Sequence, residues 1–232
     1  MTTAVIVAAG RGTRMGPGID KLFLEIAGRT VVGHTWKRFD GHPEIDHVVL
    51  VVRKGSEPAF HEIGVTLELT KPWSLVTGGA ERQDSVWNGV QAAPAGTRWV
   101  AVQDGARPCT SKDTISRCLA DARRAGASVA AQRMVDTIKE STPEGRMIGQ
   151  HLDRSRLWSV QTPQCFALDV LVPSLEKVRN EGVLVTDDTA ACGLAGHPVV
   201  LTECPDPNPK VTSSADLPLV AHWLTPPPEP LP

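Results

Sequence analysis

Apolar segments of strand length alternate along the chain with helix-like segments, and this alternation constrains the fold more than any other feature. The apolar segments cover residues 4–8, 47–52, 99–102, 128–131 and 199–202. The helix-like segments cover residues 30–39, 83–92, 112–125, 168–181, 189–194 and 215–223. Several apolar segments contain hardly any polar residue, which is typical of strands buried on both faces of a parallel sheet. We therefore predict an α/β protein with a doubly wound, mostly parallel, Rossmann-like sheet that binds its ligand at the carboxyl ends of the strands.

One polar segment, residues 136–156, breaks the alternation and carries the turn signal Pro143-Glu144-Gly145. Residues 137–139 and 147–149 on either side of the turn predict a protruding β-hairpin arm. Because an isolated hairpin buries little apolar surface, we expect this arm to pack on a second subunit. A loose surface loop is the alternative. Residues 1–224 then form a single domain, and the Pro-rich residues 225–232 are predicted to be a disordered tail.

A glycine-rich loop directly follows the first apolar segment. Residues 8–16 read AAGRGTRMG, and Lys21 comes shortly after them. Glycines let backbone N–H groups approach an anion closely, and Arg14 and Lys21 add positive charge, which favours a phosphate ligand. A dinucleotide fingerprint would need a third glycine at Met15, and a Walker A loop would need Gly-Lys-Ser/Thr. A plain strand-to-helix turn with a basic surface residue is the alternative interpretation of the glycines.

Composition limits the class of partner. A formal net charge of −2 gives no basic field for nucleic acid or for an anionic membrane, so a polyphosphate must be held by a local cluster. Six tryptophans, four phenylalanines and no tyrosine argue against stacking several bases. Five cysteines without a Cys-x-x-Cys pair favour reduced thiols in a cytoplasmic protein. Neither a signal-peptide pattern nor a membrane-spanning apolar segment is present in the sequence.

A carboxylate ends another apolar segment. Asp104 follows residues 99–102 closely, so its side chain is expected in the ligand crevice, where it suits Mg²⁺ held jointly by protein and substrate phosphates. Arg107, three residues later, fits a bidentate contact with a substrate phosphate. The same residues also fit an aspartate that caps the following loop and has Arg107 as its ion-pair partner.

A glycine turn at residues 77–85 opens a predicted helix. The backbone of Gly78, Gly79 and Ala80 would suit contacts with the edge of a base, and Ser85 would add a hydroxyl group. A helix N-terminus capped by local polar side chains explains the same pattern. Lys210, near the C-terminus, is by itself compatible with an ordinary solvated lysine.

Taken in order, these motifs resemble the 2-C-methyl-D-erythritol 4-phosphate cytidylyltransferase family over nearly the whole chain, from Val5 to about Leu219. The resemblance rests on AAGxGxRM at 8–15, Lys21, GGxxRxDS at 78–85, DxARP at 104–108, DTxK at 136–139, TPQ at 162–164, TD at 186–187 and KVT at 210–212.

The resemblance implies a nucleotidyltransferase domain that forms a homodimer through swapped hairpin arms. It implies a Mg²⁺-dependent reaction of CTP with 2-C-methyl-D-erythritol 4-phosphate, which yields 4-diphosphocytidyl-2-C-methyl-D-erythritol and pyrophosphate for isoprenoid precursors. It also implies the roles of individual residues. Catalysis falls to Arg14, Lys21 and Lys210. The metal ligand is Asp104. Nucleotide binding falls to Ala8, Ala9, Gly10, Gly12, Gly79, Ala80, Ser85 and Gly105. The second substrate would be bound by Arg107, Thr137, Arg154 and Thr162, of which Thr137 and Arg154 would reach the site of the neighbouring subunit.

Some positions depart from the family pattern, and other activities share it. Asp20 and Leu22 flank the lysine where the family has Pro and Gln, and Asp20 puts a negative charge beside the triphosphate site. Ribitol-5-phosphate cytidylyltransferases share the fold, but they more often have Val where this chain has Ala106. A non-catalytic nucleotide-binding protein is a further alternative, which retention of the charged residues disfavours. Sugar-1-phosphate nucleotidyltransferases usually have a longer loop after the glycines.

Overall fold

The computed structural model describes residues 1–10, 12, 15, 16 and 18–225, and it confirms the α/β prediction. The strands are β1 Thr2–Ala8, β2 Glu25–Ile26, β3 Arg29–Thr30, β4 His47–Val52, β5 Trp73–Thr77, β6 Trp99–Asp104, β7 Ala127–Arg133, β8 Lys139–Ser141, β9 Ile148–His151, β10 Trp158–Ala167 and β11 Val200–Glu203. The helices are α1 Val31–Asp40, α2 Glu57–Thr66, α3 Arg82–Gln91, α4 Lys112–Ala125, α5 Leu168–Asn180, α6 Asp188–Leu194 and α7 Leu217–Leu224.

Seven of the described strands form the main sheet, in the order β11-β7-β10-β6-β1-β4-β5. β10 runs antiparallel to both of its neighbours, and the other pairs are parallel. Ala8 at the end of β1 is in register with Val52 at the end of β4, and Val7 is in register with Asp104 of β6. The loops that follow these strands therefore leave the same edge of the sheet, as the sequence predicts.

Both faces of the sheet are covered by helices, which explains why the strands are apolar throughout. Ile6 of β1 belongs to a buried cluster with Trp36 and Phe39 of α1. Val5, its neighbour in the same strand, belongs to a cluster on the other face with Val86 of α3. Removing such side chains from water stabilises the fold by roughly 1.5 to 3 kcal/mol for each large residue.

A two-stranded hairpin forms within the predicted arm, residues 136–156, with a register that differs from the predicted one. β8 and β9 pair antiparallel, with Lys139 opposite His151 and Ser141 opposite Ile148. The predicted pairing of residues 137–139 with 147–149 therefore began too early on the first strand. The strands of the arm are exposed on both faces, so no apolar pattern fixes their register from sequence.

Three elements of the main fold lie outside the sequence prediction: α2, β5 and β10. Pro163 in the middle of β10 removes a backbone N–H donor, and the strand is irregular between Val160 and Gln164. Pro58 and Gly64 weaken the helical pattern of α2. The predicted disordered tail falls almost entirely on residues 226–232, outside the described residues. None of the helices in the described part of the chain is long and apolar enough to span a bilayer.

Candidate active site

A cavity of about 310 Å³ opens at the carboxyl ends of β1 and β6. It brings together most of the residues that the sequence singled out: Ala8, Ala9, Gly10, Gly12, Lys21, Gly79, Ala80, Ser85, Asp104, Gly105 and Lys210. Residues distant in sequence meet here because β1 and β6 are parallel neighbours, with Asp104 at the end of β6 in register with Val7, one residue before the end of β1. The predicted ligand site at this edge of the sheet is therefore a real concave surface.

Glycines form part of the wall because no side chain fits. A Cβ atom on Gly79 would lie 2.2 Å from the Cβ of Asp84, and one on Gly78 would lie 2.6 Å from the Cβ of Ala9. A Cβ on Gly105 would lie 3.1 Å from the carbonyl oxygen of Val7. A Cβ atom at any of these three positions would lie too close to a neighbouring atom, so glycine is what lets the chain pass this near to Ala9, Asp84 and Val7.

The glycine turn before α3 carries the local cap that the sequence offered as an alternative. Glu81 and Asp84 form a capping box at the start of this helix. The Ser85 hydroxyl donates to the carbonyl oxygen of Glu81 at 3.2 Å and accepts from the N–H of Gly79, also at 3.2 Å. Ser85 thus holds the turn in place and lies on the cavity wall at the same time.

Asp104 lies at the centre of a charged cluster. Its Oδ2 atom is 2.8 Å from Nζ of Lys210 and 3.4 Å from Nε of Arg107, and its Oδ1 atom is 3.9 Å from Nε of Arg82. Burial by itself would raise the pKa of the Asp104 carboxyl, but Lys210, Arg82 and Arg107 together outweigh burial and hold this pKa below its usual value. The carboxylate therefore stays ionised, and the ion pair with Arg107 that the sequence left open is present.

The buried carboxylate of Asp188 forms an ion pair with Arg82. Nη1 of Arg82 donates to Oδ2 of Asp188 at 2.9 Å, and the Asp188 side chain is 0% exposed. Burial raises the pKa of the Asp188 carboxyl, and the charge of Arg82 opposes that rise. The backbone N–H of Asp188 donates to Oε1 of Gln164 at 3.1 Å. The sequence analysis assigned no role to Arg82, although this residue is part of the motif at 78–85.

Asn208 joins the loops that carry Arg107 and Lys210. Its carbonyl oxygen accepts from Nη1 of Arg107 at 2.7 Å, and its Oδ1 accepts from the Thr110 hydroxyl at 2.9 Å. Its Nδ2 donates to the carbonyl oxygen of Thr162 at 2.8 Å, and the Thr162 hydroxyl accepts from the N–H of Asp104 at 3.1 Å. Thr162 is buried, so in this structure it orients the backbone of Asp104.

A neighbouring cavity of about 360 Å³ lies on the other side of Lys210. Its lining includes Arg107, Asn208, Gln161 and, from α7, Trp223. Lys210 thus lies between two concave surfaces, one with glycine loops and one with polar and aromatic side chains, and Arg107 lines the second. This arrangement suits two ligands that meet at the cation between them.

Lys21 reaches the same cluster from the opposite wall. It opens a short 3-10 helix, Lys21–Phe23, and its side chain is 9% exposed. Nζ of Lys21 donates to the carbonyl oxygen of Val211 at 2.7 Å, and the N–H of Val211 donates to the carbonyl oxygen of Ala106 at 2.9 Å. Val211 directly follows Lys210. The side chain of Lys21 is therefore hydrogen-bonded to the residue next to the other predicted catalytic lysine.

Four predicted site residues that the structure describes are not in the lining of the main cavity: Arg107, Thr162, Thr137 and Arg154. Thr137 and Arg154 are exposed residues of the arm, and the lining of the main cavity does not include them. Arg14 lies outside the described residues. No group of three His, Cys, Asp or Glu side chains that could hold a metal ion occurs among the residues that the structure describes. The roles of all these residues stay predictions.

A comparison with protein families shows the family of the chain. The model of the 2-C-methyl-D-erythritol 4-phosphate cytidylyltransferase family matches residues 2–225. The chain belongs to this family. The match extends from β1 to the end of α7, so it includes both cavities and the arm.

Relatives of the family have similar sequences and folds. The chain is 36% identical over 222 residues to the 2-C-methyl-D-erythritol 4-phosphate cytidylyltransferase of Desulforamulus reducens, with 95% of this chain and 94% of that protein covered. It is 41% identical over 217 residues to the bifunctional enzyme IspD/IspF of Desulforudis audaxviator, covering 93% of this chain but only 55% of that longer protein. The solved structure of the 4-diphosphocytidyl-2C-methyl-D-erythritol synthase of Anaerococcus prevotii superposes with a TM-score of 0.85 at 25% identity, covering 96% of this chain and 97% of that one.

Proposed function

We propose that this chain transfers the cytidylyl group of CTP to 2-C-methyl-D-erythritol 4-phosphate and releases pyrophosphate. One observation supports this proposal above the others. A cavity walled by glycine loops and a neighbouring polar cavity, which Arg107 also lines, meet at Lys210, so two phosphorylated ligands can be held end to end. The family and the names of the relatives identify the reaction that such an arrangement suits.

The chemistry needs positioning and positive charge more than proton transfer. An oxygen of the phosphate monoester attacks the α-phosphorus of CTP, a new P–O bond forms, and the bond to the β-phosphate oxygen breaks, releasing pyrophosphate. The second pKa of a phosphate monoester is about 6, so the attacking oxygen is already ionised at pH 7 and no general base is needed. The protein's part is to hold two anions that repel each other and to neutralise the charge of the transition state.

The main cavity is the proposed nucleotide site. Its glycine loops offer backbone N–H and C=O groups, which can recognise the edge of a pyrimidine and the oxygens of a triphosphate without side-chain movement. Lys21 and Arg14 are the proposed triphosphate ligands. Lys21 points to Val211, beside the charged cluster, which is consistent with that role.

The neighbouring cavity is the proposed site of the polyol phosphate. Arg107 and Lys210 line it, and their positive charges suit the phosphate group of this substrate. Thr162 is proposed to act here mainly through the backbone of Asp104. Thr137 and Arg154 are proposed to reach the equivalent site of a second subunit.

The residues present fit Mg²⁺ bound jointly with substrate. Asp104 is a single ionised carboxylate at the end of a buried strand, and Mg²⁺ in nucleotide enzymes is commonly held by one or two carboxylates plus phosphate oxygens. Its Oδ1 atom is the proposed ligand, because the nearest cation in the charged cluster lies 3.9 Å from it. When bound, the ion would neutralise negative charge on the triphosphate and favour departure of pyrophosphate.

The arm is the proposed dimer contact. Met147 and Ile148 on it are 73% and 60% exposed in the isolated chain, and Val135, directly before it, is 80% exposed. Apolar side chains at this exposure favour a partner surface. A second copy that covers them would bring Thr137 and Arg154 towards the neighbouring site.

The test is pyrophosphate release from CTP by the purified protein with each polyol phosphate. We expect turnover with 2-C-methyl-D-erythritol 4-phosphate, and much less with ribitol 5-phosphate. Chelation of divalent cations and the Asp104→Asn variant should each remove most of the activity. Turnover with ribitol 5-phosphate alone, or CTP binding without turnover on either compound, would contradict the proposal.

A further inference from the structure

Arg53 contacts the chain on both sides of the glycine-rich loop. It is the first residue after β4, and because Val52 is in register with Ala8, Arg53 lies beside the backbone that leaves β1. Nη1 of Arg53 donates to the carbonyl oxygen of Gly10 at 3.0 Å. Nη2 of the same guanidinium forms a short ion pair with Oδ2 of Asp20. One side chain therefore fixes two points that are separated in sequence.

Asp20 connects the ion pair to Lys21, the residue that follows it. It is the N-cap of the 3-10 helix Lys21–Phe23, and its Oδ1 accepts from the N–H of Leu22 at 3.1 Å. The two carboxylate oxygens thus have different partners: Oδ2 faces Arg53 and Oδ1 caps the helix. Since Lys21 is the first residue of that helix, the Arg53–Asp20 pair fixes the backbone from which the Lys21 side chain extends.

Charge gives the pair a second consequence. Asp20 is adjacent to Lys21 and would repel a triphosphate bound at the main cavity. Arg53 neutralises this carboxylate at contact distance, where the interaction of two partly exposed charges is strongest. Without Arg53, the unpaired Asp20 would repel the triphosphate and would also attract the Lys21 ammonium group away from it. The departure from the family pattern at Asp20 is therefore matched by a cation elsewhere in the chain.

We propose that Arg53 is a positioning residue for the nucleotide: by joining Gly10 to Asp20 it holds Gly10 and Lys21 in place for the triphosphate of CTP. This inference rests on the proposed function. Arg53 acts through its neighbours, because the described lining of the main cavity does not include it. The fork of the guanidinium is essential, since one lysine ammonium group would replace only one of the two contacts well.

The experiment measures CTP binding by calorimetry, and KM and kcat by pyrophosphate release, in four proteins. In Arg53→Ala we expect Kd and KM for CTP to rise roughly tenfold, as for the loss of a charge-assisted contact. The KM for the polyol phosphate should stay unchanged, and kcat should change far less than the KM for CTP. Arg53→Lys should keep most of the CTP defect. Arg117→Ala, which removes an exposed ion pair with Asp113, is the matched control and should behave as wild type.

A double variant separates the repulsion of Asp20 from a general structural effect. Adding Asp20→Asn to Arg53→Ala removes the unpaired carboxylate, so the KM for CTP should recover by about threefold, as expected for two coupled residues. If Arg53 had a purely structural role, the KM for CTP should be higher in the double variant than in Arg53→Ala. Additive defects, a wild-type KM in Arg53→Ala, or full activity in Arg53→Lys would each overturn the proposal.

The outcomes also separate this inference from the function on which it rests. A wild-type protein that transfers cytidylyl groups, with an Arg53→Ala variant that binds CTP equally well, would overturn the role of Arg53 alone. A wild-type protein that neither binds CTP nor releases pyrophosphate would overturn both.

Discussion

The two walls of the main cavity are built by different means. The backbone wall, residues 8–10, 79, 80 and 105, has its shape because side chains are missing or small. The charged wall, Arg82, Asp104 and Lys210, has its shape because opposite charges hold one another, with Arg107 as a further partner of Asp104. At Gly79 an added methyl group would lie 2.2 Å from another carbon, whereas Asp104 in the other wall faces three cations.

The two walls therefore tolerate different kinds of substitution. Substitutions in the backbone wall change the space available to a ligand, because the neighbouring backbone cannot retreat. Substitutions in the charged wall change the electric field, and the remaining partners keep the geometry. The following predictions test this division, from the largest expected effect to the smallest.

Asp188→Ala should have the largest effect, and on stability. It removes the 0% exposed partner of Arg82, whose side chain is 28% exposed and keeps the Asp104 carboxylate 3.9 Å away. Because one partner is partly exposed, the loss of unfolding free energy should be about 3 kcal/mol, the lower end of the cost of breaking a buried pair. Urea unfolding measures this loss in the free energy of unfolding. Asp113→Ala, which breaks an exposed pair, is the control and should cost well under 1 kcal/mol. Equal losses in the two variants would contradict a buried support for the charged wall.

Lys210→Ala should lower kcat about 10²- to 10³-fold, as the loss of one preorganised charge commonly does. The fold should remain, because Arg82 and Arg107 still face Asp104. Lys21→Ala should reduce turnover to a similar extent. Steady-state pyrophosphate release measures both, and Lys177→Ala, which removes an exposed partner of Glu181, is the control. A near-normal kcat in either site variant would remove that lysine from the proposed mechanism.

Gly79→Ala should damage the backbone wall by steric overlap. The new Cβ must push Asp84 and the start of α3 aside, which costs about 1 to 3 kcal/mol. We expect a higher KM for CTP together with a lower unfolding midpoint, whereas the lysine variants keep their stability. In Gly193→Ala the new Cβ has no atom within 4 Å, so this variant should be as stable as wild type. A stable, fully active Gly79→Ala protein would show that this wall is not sterically fixed.

Asp216→Ala should have the smallest effect and should depend on pH. Asp216 accepts from the hydroxyl and the N–H of Thr212, both at 2.7 Å, just beyond Lys210 and Val211. Chiefly the Thr212 hydroxyl, with nearby N–H groups, lowers the pKa of Asp216 to about 2. The pKa in the folded state is below the unfolded one, so the stabilisation is present above about pH 4 and is lost as the pH falls towards 2.

The loss in Asp216→Ala at pH 7 should be about 1 kcal/mol, as for other capping residues. It should shrink at pH 3 in urea unfolding experiments. Asp153→Ala, on the arm, is the control for activity. A difference from wild type that grows in acid would contradict this assignment.

The sequence was most informative about the residues that end buried strands. Ala8 ends one apolar segment and Asp104 closely follows another. Such segments can be recognised without knowing which strands pair, so the position of both residues at one edge of the sheet could be predicted. The glycines beside them could be predicted too, because only they permit the close backbone contacts at Gly78 and Gly79.

The rest depends on contacts between distant residues. Arg82 meets Asp188 across 106 positions, and Arg53 meets Asp20 across 33, so no local pattern reveals either pair. The proline in β10 concealed a strand whose order comes from its pairing with β6 and β7. The exposed arm has no buried face, so its register could not be read from hydrophobic alternation.

The antiparallel direction of β10 has a consequence for how the molecule can change. The chain leaves the main sheet at Arg133 and returns at Trp158, and these two residues are directly opposite each other. Everything between them is an excursion that begins and ends at neighbouring backbone positions, a few ångströms apart. A short turn could close that gap without altering the order of the strands. The length of the arm can therefore change without altering the pairing of the strands in the main sheet.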